Sequence, residues 1–548
     1  LDEAEVRQVA RALKAQGVES IALCFLHSYA NPAHEERAAA ILAQEFPQAA
    51  VSVSSRIVRE WREYERTSTT AINAFIMPVV GRYLSMLQEH LAERRYRHPL
   101  FVNQSSGGII PADTARHQPV RTIMSGPAGG AVCTAYIGQA AGFPDVIGFD
   151  MGGTSTDVSL THAGRTRVTV EAKIEGHPIL VPMIDIHSIG AGGGSLARVD
   201  AVGTLLVGPQ SAGADPGPVC YGRGGTQPTV TDANLVLGRI DPTYFLGGAM
   251  ALDEASAKRA LEEQVAKPLG LPLVQAAEGM IRVVNTKMAY AIRALTVQKG
   301  LDPKDFVLLA FGGAGPMHAC ALAAELDIPR VLVPIVPGAF SALGMLLTDF
   351  RHDFARTCLA PASQVDLSQV HSLYEDMVQE ATAALLADGV ARSAISTERA
   401  LDMRYTGQEY TVTVLVPNGK FSQRTLAVVR QAFDSAHQRT YGHSSPEQPV
   451  EIVSLRLWGR GAVPPLTLPT LPEGKRTPPP EAVRHQGQVY FAEAGGFVTC
   501  SFYERGKLLA GNRLEGPAII TDRGATTVLP PGFSLKVSEH GNMLLERR

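Results

Sequence analysis

The segment from Val146 to Leu160 constrains this chain more than any other. An apolar strand runs into Asp150, Gly152 and Gly153 make a tight turn, Thr154, Ser155 and Thr156 bring hydroxyls, and a second alternating strand leaves past Asp157. A hairpin tip without Cβ atoms presents backbone N–H groups to an anion, and the hydroxyls add donors. The same pattern also fits a plain glycine turn between two strands. Three more glycine turns, at Gly190–Gly194, Gly224–Gly225 and Gly312–Gly315, tip the balance, because one phosphate compound can use several of them. Phe306–Phe311 reads as a buried strand, Gly312, Gly313 and Gly315 as its turn, and Pro316 as a tolerated first residue of a helix over Met317–Leu326. Strand, glycine turn and helix N-terminus in that order form an anion or nucleotide seat. No Gly-Lys-Ser/Thr follows, so this is not a Walker A loop, and it is not a GxGxxG fingerprint. Asp150 is expected on the metal side of a bound phosphate, since magnesium keeps its waters and needs only one or two carboxylates. Asp157 is the weaker second acid.

Around these turns the pattern is α/β. Helices are expected over Asp2–Gln16, Glu35–Phe46 and Thr67–Arg94, the last kinked or split by Pro78, with strands at Val18–Leu26 and Ala50–Val53. Val274, Ala277, Ile281, Val284, Met288, Ala291 and Leu295 draw one apolar stripe down a long core helix. Helices over Gln369–Leu386 and Arg424–Thr440 flank a strand pair around Gly407. Pro464–Pro480 reads as a linker or wrapping arm, and the tail from Gly487 as a small β module.

With 548 residues the chain holds two to four domains. Fifty basic against 53 acidic residues give a net charge of -3, which offers no field for nucleic acid. The six cysteines lack any CxxC or zinc spacing and read as reduced, buried thiols. No apolar run is expected to span a bilayer and no leader opens the chain, so the cytoplasm is the expected compartment, with no membrane partner.

The hairpin Asp150–Asp157 resembles the second phosphate motif of the actin, sugar-kinase and Hsp70 superfamily, and Phe311–Pro316 its adenosine loop. More narrowly, Glu63–Thr70, Ser125–Gly130, His187–Ser195, Gly208–Pro218 and Thr229–Asn234 resemble, in order, the hydantoinase A and 5-oxoprolinase family, which includes N-methylhydantoinase A and the acetone carboxylase β subunit. The similarity runs through essentially the whole chain. It implies an actin-like (ribonuclease H-like) α/β core and a C-terminal α+β extension. The implied layout is 1–110 as the remainder of an N-terminal domain, 111–355 as a central nucleotide-binding domain and 356–548 as a C-terminal domain. The implied activity is ATP- and Mg²⁺-dependent hydrolysis of a cyclic amide, of hydantoin or 5-oxoproline type, through phosphorylation of the amide oxygen. The implied assembly is a hetero-oligomer with a hydantoinase B-type subunit. Two alternatives stand beside this: the nucleotide-binding subunit of an acetone- or acetophenone-type carboxylase acting on a ketone, and a non-catalytic nucleotide-binding scaffold.

The family normally opens with a first Asp-x-Gly-Gly-Thr hairpin, and the only such motif here is at Asp150. The expectation is therefore an N-terminal truncation of on the order of one hundred residues, a core lacking its first strands and a fragment that is inactive as it stands. Smaller departures are Gln104, where Asn is more usual, and Thr521–Gly524, where the family is more acidic.

Within this reading Gly152, Gly153, Thr154, Ser155, Thr156, Gly192, Gly193, Gly312, Gly313 and Gly315 bind the nucleotide, Asp150 and Asp157 are catalytic, and Asp150 takes the metal. His187 and Ser195 are substrate candidates. For His187 a satisfied strand-end histidine is the favoured alternative, and His318, in a first helical turn, is expected to be merely solvated. Ser125 is not a nucleophile, because no Gly-x-Ser-x-Gly elbow surrounds it.

Overall fold

The hairpin forms as its sequence dictates. In the computed structural model, which describes residues 1–170 and 172–548, β1 (Val146–Met151) and β2 (Thr156–His162) pair antiparallel, with Asp150 directly opposite Asp157. β3 (Ile186–Ile189) adds to β2 antiparallel, while β4 (Val307–Phe311) and β5 (Arg330–Val333) continue on the other side in parallel. The tail extends the same sheet. β6 (Arg513–Glu515), β7 (Phe533–Val537) and β8 (Met543–Arg547) complete the order β3-β2-β1-β4-β5-β8-β7-β6, and Arg165–Thr166 pairs with β2. Every residue of β4 is buried, as expected for a parallel strand covered on both faces.

This sheet belongs to one of two compact units, made of 129–167, 185–346 and 466–548. Its core helix α1 (Leu273–Leu295) buries Ala277, Ile281, Val284, Met288, Ala291 and Leu295, the stripe read from the sequence. The tail is not one separate β module. Val483–Phe491, Gly496–Glu504, Ala518–Thr521 and Thr526–Leu529 form a four-stranded sheet of their own, whereas Met543 and Leu545, both fully buried, need the edge of β5 and so carry the last strand into the main sheet. The proline-rich segment from Leu466 is a wrapping arm, anchored by Leu471 N–H to Glu539 O (2.7 Å) and Gly474 N–H to Ala510 O (2.8 Å).

The other unit comprises 1–128, 168–184 and 347–465. It contains a parallel pair, Ser20–Leu23 with Ala50–Val53, and a six-stranded sheet ordered Val412–Val416, Ile395–Tyr405, Val450–Gly461, Phe350–Pro361, Ile109–Pro111 and Phe101–Asn103. Helices Leu367–Ala387 and Gln423–Tyr441 bury Tyr374, Met377, Val429 and Phe433 against that sheet.

Helix Glu63–Glu93 bears on two expectations. Of the kink or split expected at Pro78, the split does not occur, and the helix runs on as one element. Proline removes the N–H that would reach the Ala74 carbonyl, and the Ser20 hydroxyl donates to that carbonyl instead (2.6 Å). It is also long and apolar enough, by length and composition, to cross a membrane, which the sequence reading did not expect. Its buried side carries Arg66, Thr69, Thr70 and Asn73, and the Asn73 amide donates to Ser52 Oγ (2.9 Å) and to the His117 carbonyl (3.1 Å).

Candidate functional site

The tip of the β1–β2 hairpin is held from below. Gly193 N–H donates to Gly152 O (3.0 Å) and Gly194 N–H to Gly153 O (2.6 Å), so the Gly190–Gly194 loop lies flat against the tip. A Cβ on Gly192 would strike the Gly153 carbonyl at 2.7 Å, which explains the glycine there. The same loop is clamped by Thr231, whose N–H and hydroxyl both donate to Gly193 O at 2.8 Å. Thr231 sits in α2 (Val230–Val236), a helix started by a Thr229–Asp232 capping box. Buried Asp232 also accepts from the N–H groups of Val219 (3.2 Å) and Cys220 (2.8 Å). The Thr229–Asn234 motif therefore positions the loop that supports the tip.

The Gly312 turn meets the hairpin directly. Ala314 N–H donates to Met151 O (2.9 Å), and Gly312, at φ +79°, has no room for a Cβ beside Asp150 and the Met151 carbonyl. Helix α3 (Gly315–Glu325) starts here with proline in its first turn, as expected. The N–H groups of Gly153, Thr154 and Gly313 have no partner among the described residues, and all three residues are exposed. Two glycine bends with free donors thus converge on one cavity of about 180 Å³, lined by Gly152, Gly153, Gly193, Gly313 and Ala314.

Asp150 and Asp157 face each other across the hairpin, on the face opposite the buried Phe149 and Met151, and do not line that cavity. Burial first, and then the Asp157 charge, push the Asp150 carboxyl up to about 6, against a hydrogen bond from the Ser341 hydroxyl (3.3 Å). Burial also raises Asp157, against a hydrogen bond from Ser188, and its Oδ1 is buried without a partner among the described residues. Among the described residues no three His, Cys, Asp or Glu side chains gather as a metal cluster.

The far wall of the cavity is a set of residues the sequence reading did not assign to the site. Tyr221 and Phe245 pack ring to ring at 5.5 Å, Tyr244 stacks under the Arg484 guanidinium at 3.6 Å, and the turn Thr521–Thr526 closes one side. His318 is not solvated. It is 1% exposed, its Nδ1 is 2.7 Å from Asn285 Oδ1, and burial, helped by the Arg239 charge, pushes it down to about 3, so the ring is neutral. Asn234 is 3.4 Å from His318 Nε2, and its Oδ1 is buried without a partner. Both residues line the cavity.

Of the residues read from the sequence, Gly152, Gly153, Gly193 and Gly313 come together at the cavity. Thr154 and Ser155 sit at the tip beside it. Thr156 is buried, donating to Ala191 O (2.6 Å), while Gly192 and Gly315 are buried supports. Ser195 is not placed for substrate: it is fully buried and accepts from the Gly192 N–H (2.8 Å). His187 is exposed on β3, opposite Val158, and lies outside the cavity lining.

Three family models match the chain: Hydantoinase/oxoprolinase over residues 66–354, its C-terminal domain over 361–547, and its N-terminal region over 1–46. The chain belongs to the hydantoinase/oxoprolinase family of enzymes. The expected loss of the family's N-terminal region is not supported, since the model for that region matches residues 1–46. Caprolactamase subunit alpha of Pseudomonas jessenii is 35% identical over 98% of this chain and 77% of its own length. Acetophenone carboxylase gamma subunit of Aromatoleum aromaticum is 34% identical over 100% of this chain and 76% of its own. Among solved structures, the ATP-dependent caprolactamase from Pseudomonas jessenii superposes with a TM-score of 0.90 at 34% identity, over 100% of this chain and 80% of that one. A nucleotide-free acetone carboxylase structure gives 0.81 at 28% identity, over 100% and 79%. The mixed α/β architecture is thus shared with this hydantoinase/oxoprolinase group.

Proposed function

We propose that this chain is the ATP-binding subunit of an enzyme that hydrolyses a cyclic amide. The observation that carries the reading is the convergence of the Gly152–Gly153 and Gly312–Gly315 bends, with the free N–H groups of Gly153, Thr154 and Gly313, on one cavity. Backbone donors suit a polyphosphate, which needs fixed partial positive charge more than covalent help. The aromatic wall of Tyr221, Tyr244 and Phe245 suits a nucleoside. The run β3-β2-β1-β4-β5, antiparallel and then parallel, supports reading the sheet as one half of an actin-, sugar-kinase- or Hsp70-like ATPase core.

In the proposed reaction the amide oxygen attacks the γ-phosphoryl, a new O–P bond forms, and ADP leaves. Water then adds to the activated carbon, the C–N bond opens as the ring nitrogen takes up a proton, and a second water hydrolyses the resulting acyl phosphate to carboxylate and phosphate. The residues present fit Mg²⁺. The Asp157 oxygen, unpartnered among the described residues, and the raised Asp150 carboxyl face each other as a pair of acids, and two acids suffice for a hydrated ion. Bound there, Mg²⁺ would supply fixed positive charge to the hairpin that carries the tip amides. Asp150 and Asp157 would hold it, while the tip amides orient the phosphates and Thr231 keeps the supporting loop in place. A partner of hydantoinase B type belongs to the same proposal, supported by relatives that are named as subunits.

A second reading, the nucleotide-binding subunit of a ketone carboxylase, is favoured by the 34% identity to acetophenone carboxylase gamma subunit. Phosphate release separates the two. Release from ATP that depends on 5-oxoproline, hydantoin or a lactam supports the hydrolase. Release that depends on a ketone plus bicarbonate, and not on any cyclic amide, overturns it in favour of the carboxylase.

A further inference from the structure

A second cavity lies elsewhere, within the unit that holds the six-stranded sheet. It measures about 470 Å³ and is lined by Arg56, Arg59, Arg121, Arg356 and Arg456 against only three acids, Glu60, Asp353 and Glu380. Each acid is already taken. Glu60 binds Arg456 (2.8 Å), Glu380 binds Arg356 (2.6 Å), and Asp353 is held by Arg351 (2.8 Å), which is not a lining residue. Arg456 also holds Asp402 (2.6 Å), and Arg56 is satisfied outside the cavity by Glu36.

Two guanidinium groups remain without a carboxylate among the described residues. Arg59 has only the Tyr29 carbonyl (3.3 Å), and Arg121 only the Gln118 side chain (2.6 Å). Both are half-buried, and burial pushes both below the ordinary arginine range; at Arg59 the repulsion of Arg356 is partly offset by Glu380, and at Arg121 the attraction of Asp353 outweighs the repulsion of Arg351. A protein does not gain stability by holding like charges in a partly desolvated hollow. Such a hollow suits an anion, and the planar fork of arginine matches oxyanions in particular. The lining also has an apolar part, with the buried Ile57, Val58 and Val181 and the indole of Trp458.

We propose that this cavity is a second ligand site, in which Arg59 and Arg121 bind the oxyanion of a small organic carboxylate or phosphate whose apolar part rests against Trp458 and Val181. The proposal does not depend on the nucleotide reading, because none of these residues belongs to the glycine cavity.

Trp458 provides the probe. The chain has two tryptophans, so Trp61→Phe leaves Trp458 as the only indole emitter. The full chain carrying Trp61→Phe is titrated in low-chloride buffer with inorganic phosphate, with succinate and with uncharged succinamide, and its fluorescence and melting temperature are followed. The expected result is a saturable change with phosphate or succinate and none with succinamide, together with a rise in melting temperature. A response to phosphate alone identifies a phosphoryl ligand, and a response to succinate alone a carboxylate. Arg59→Gln and Arg121→Gln, each added separately so that one folded variant suffices, should weaken the response about tenfold. The absence of a saturable response to both anions, an equal response to succinamide, or affinities unchanged in both arginine variants overturns the proposal.

Discussion

Replacing Asp150 by asparagine should make the protein more stable and less active at once. Burial and the facing Asp157 hold the Asp150 carboxyl at about 6, against 3.8 for the ordinary group. An acid whose folded pKa is raised keeps its proton more tightly in the folded chain than in the unfolded one. Its stabilising protonation is therefore complete below about pH 3.8 and is lost as the pH rises through about 6. A shift of about two pKa units corresponds to about 3 kcal/mol of folding free energy missing at neutral pH. Asparagine keeps the shape, carries no charge, and has an amide that can donate to the unpartnered Asp157 Oδ1. Urea unfolding of wild type and Asp150→Asn should give nearly equal stabilities near pH 4, and at pH 8 an advantage of about 2–3 kcal/mol for the variant. ATP hydrolysis, measured as phosphate release from the complete enzyme, should be lost in the same variant. A variant no more stable than wild type at pH 8 refutes the electrostatic account of the hairpin, and one that retains wild-type hydrolysis removes Asp150 from the mechanism.

Four further outcomes follow from the same structure. His318, held neutral with its pKa pushed down to about 3, disfavours the folded state as the pH falls below 6.5, because only the unfolded chain then takes up the proton; His318→Gln should recover about 2 kcal/mol at pH 5 in acid unfolding curves and nothing at pH 8. Gly312→Ala places a Cβ beside Asp150 at φ +79° and should cost about 2 kcal/mol or more in melting experiments while weakening nucleotide binding. Ser20→Ala leaves the Ala74 carbonyl opposite Pro78 without its donor and should cost about 1–2 kcal/mol in urea unfolding. Tyr244→Ala should weaken ATP binding in calorimetry but leave inorganic triphosphate unaffected, since the ring lies on the aromatic side of the cavity and away from the tip amides.

What could be read in advance was what the chain encodes locally. The Gly152–Gly153 hairpin, the strand and turn before Pro316, and the stripe from Val274 to Leu295 each lie within one short run, where period and glycine placement fix the element. The misses are long-range. Nothing near Pro78 announces that a hydroxyl 58 positions earlier will donate to the Ala74 carbonyl, so the choice between a continuous and a split helix stayed open there. His318 resembles any polar residue in a first turn until Asn234 and Asn285, far off in sequence, close around it. The Thr521–Thr526 turn and the aromatic wall reach the cavity only through the tertiary fold. Ser195 shows the converse: a hydroxyl in a glycine loop suggested a substrate contact, yet the loop folds under the hairpin and turns that hydroxyl to its own Gly192 amide.

The most direct test is a structure of the protein with a non-hydrolysable ATP analogue and Mg²⁺. The account predicts the phosphates against the N–H groups of Gly153, Thr154 and Gly313, and the nucleoside toward Tyr221, Tyr244 and Phe245. An analogue bound elsewhere, with those three amides still facing solvent, contradicts it.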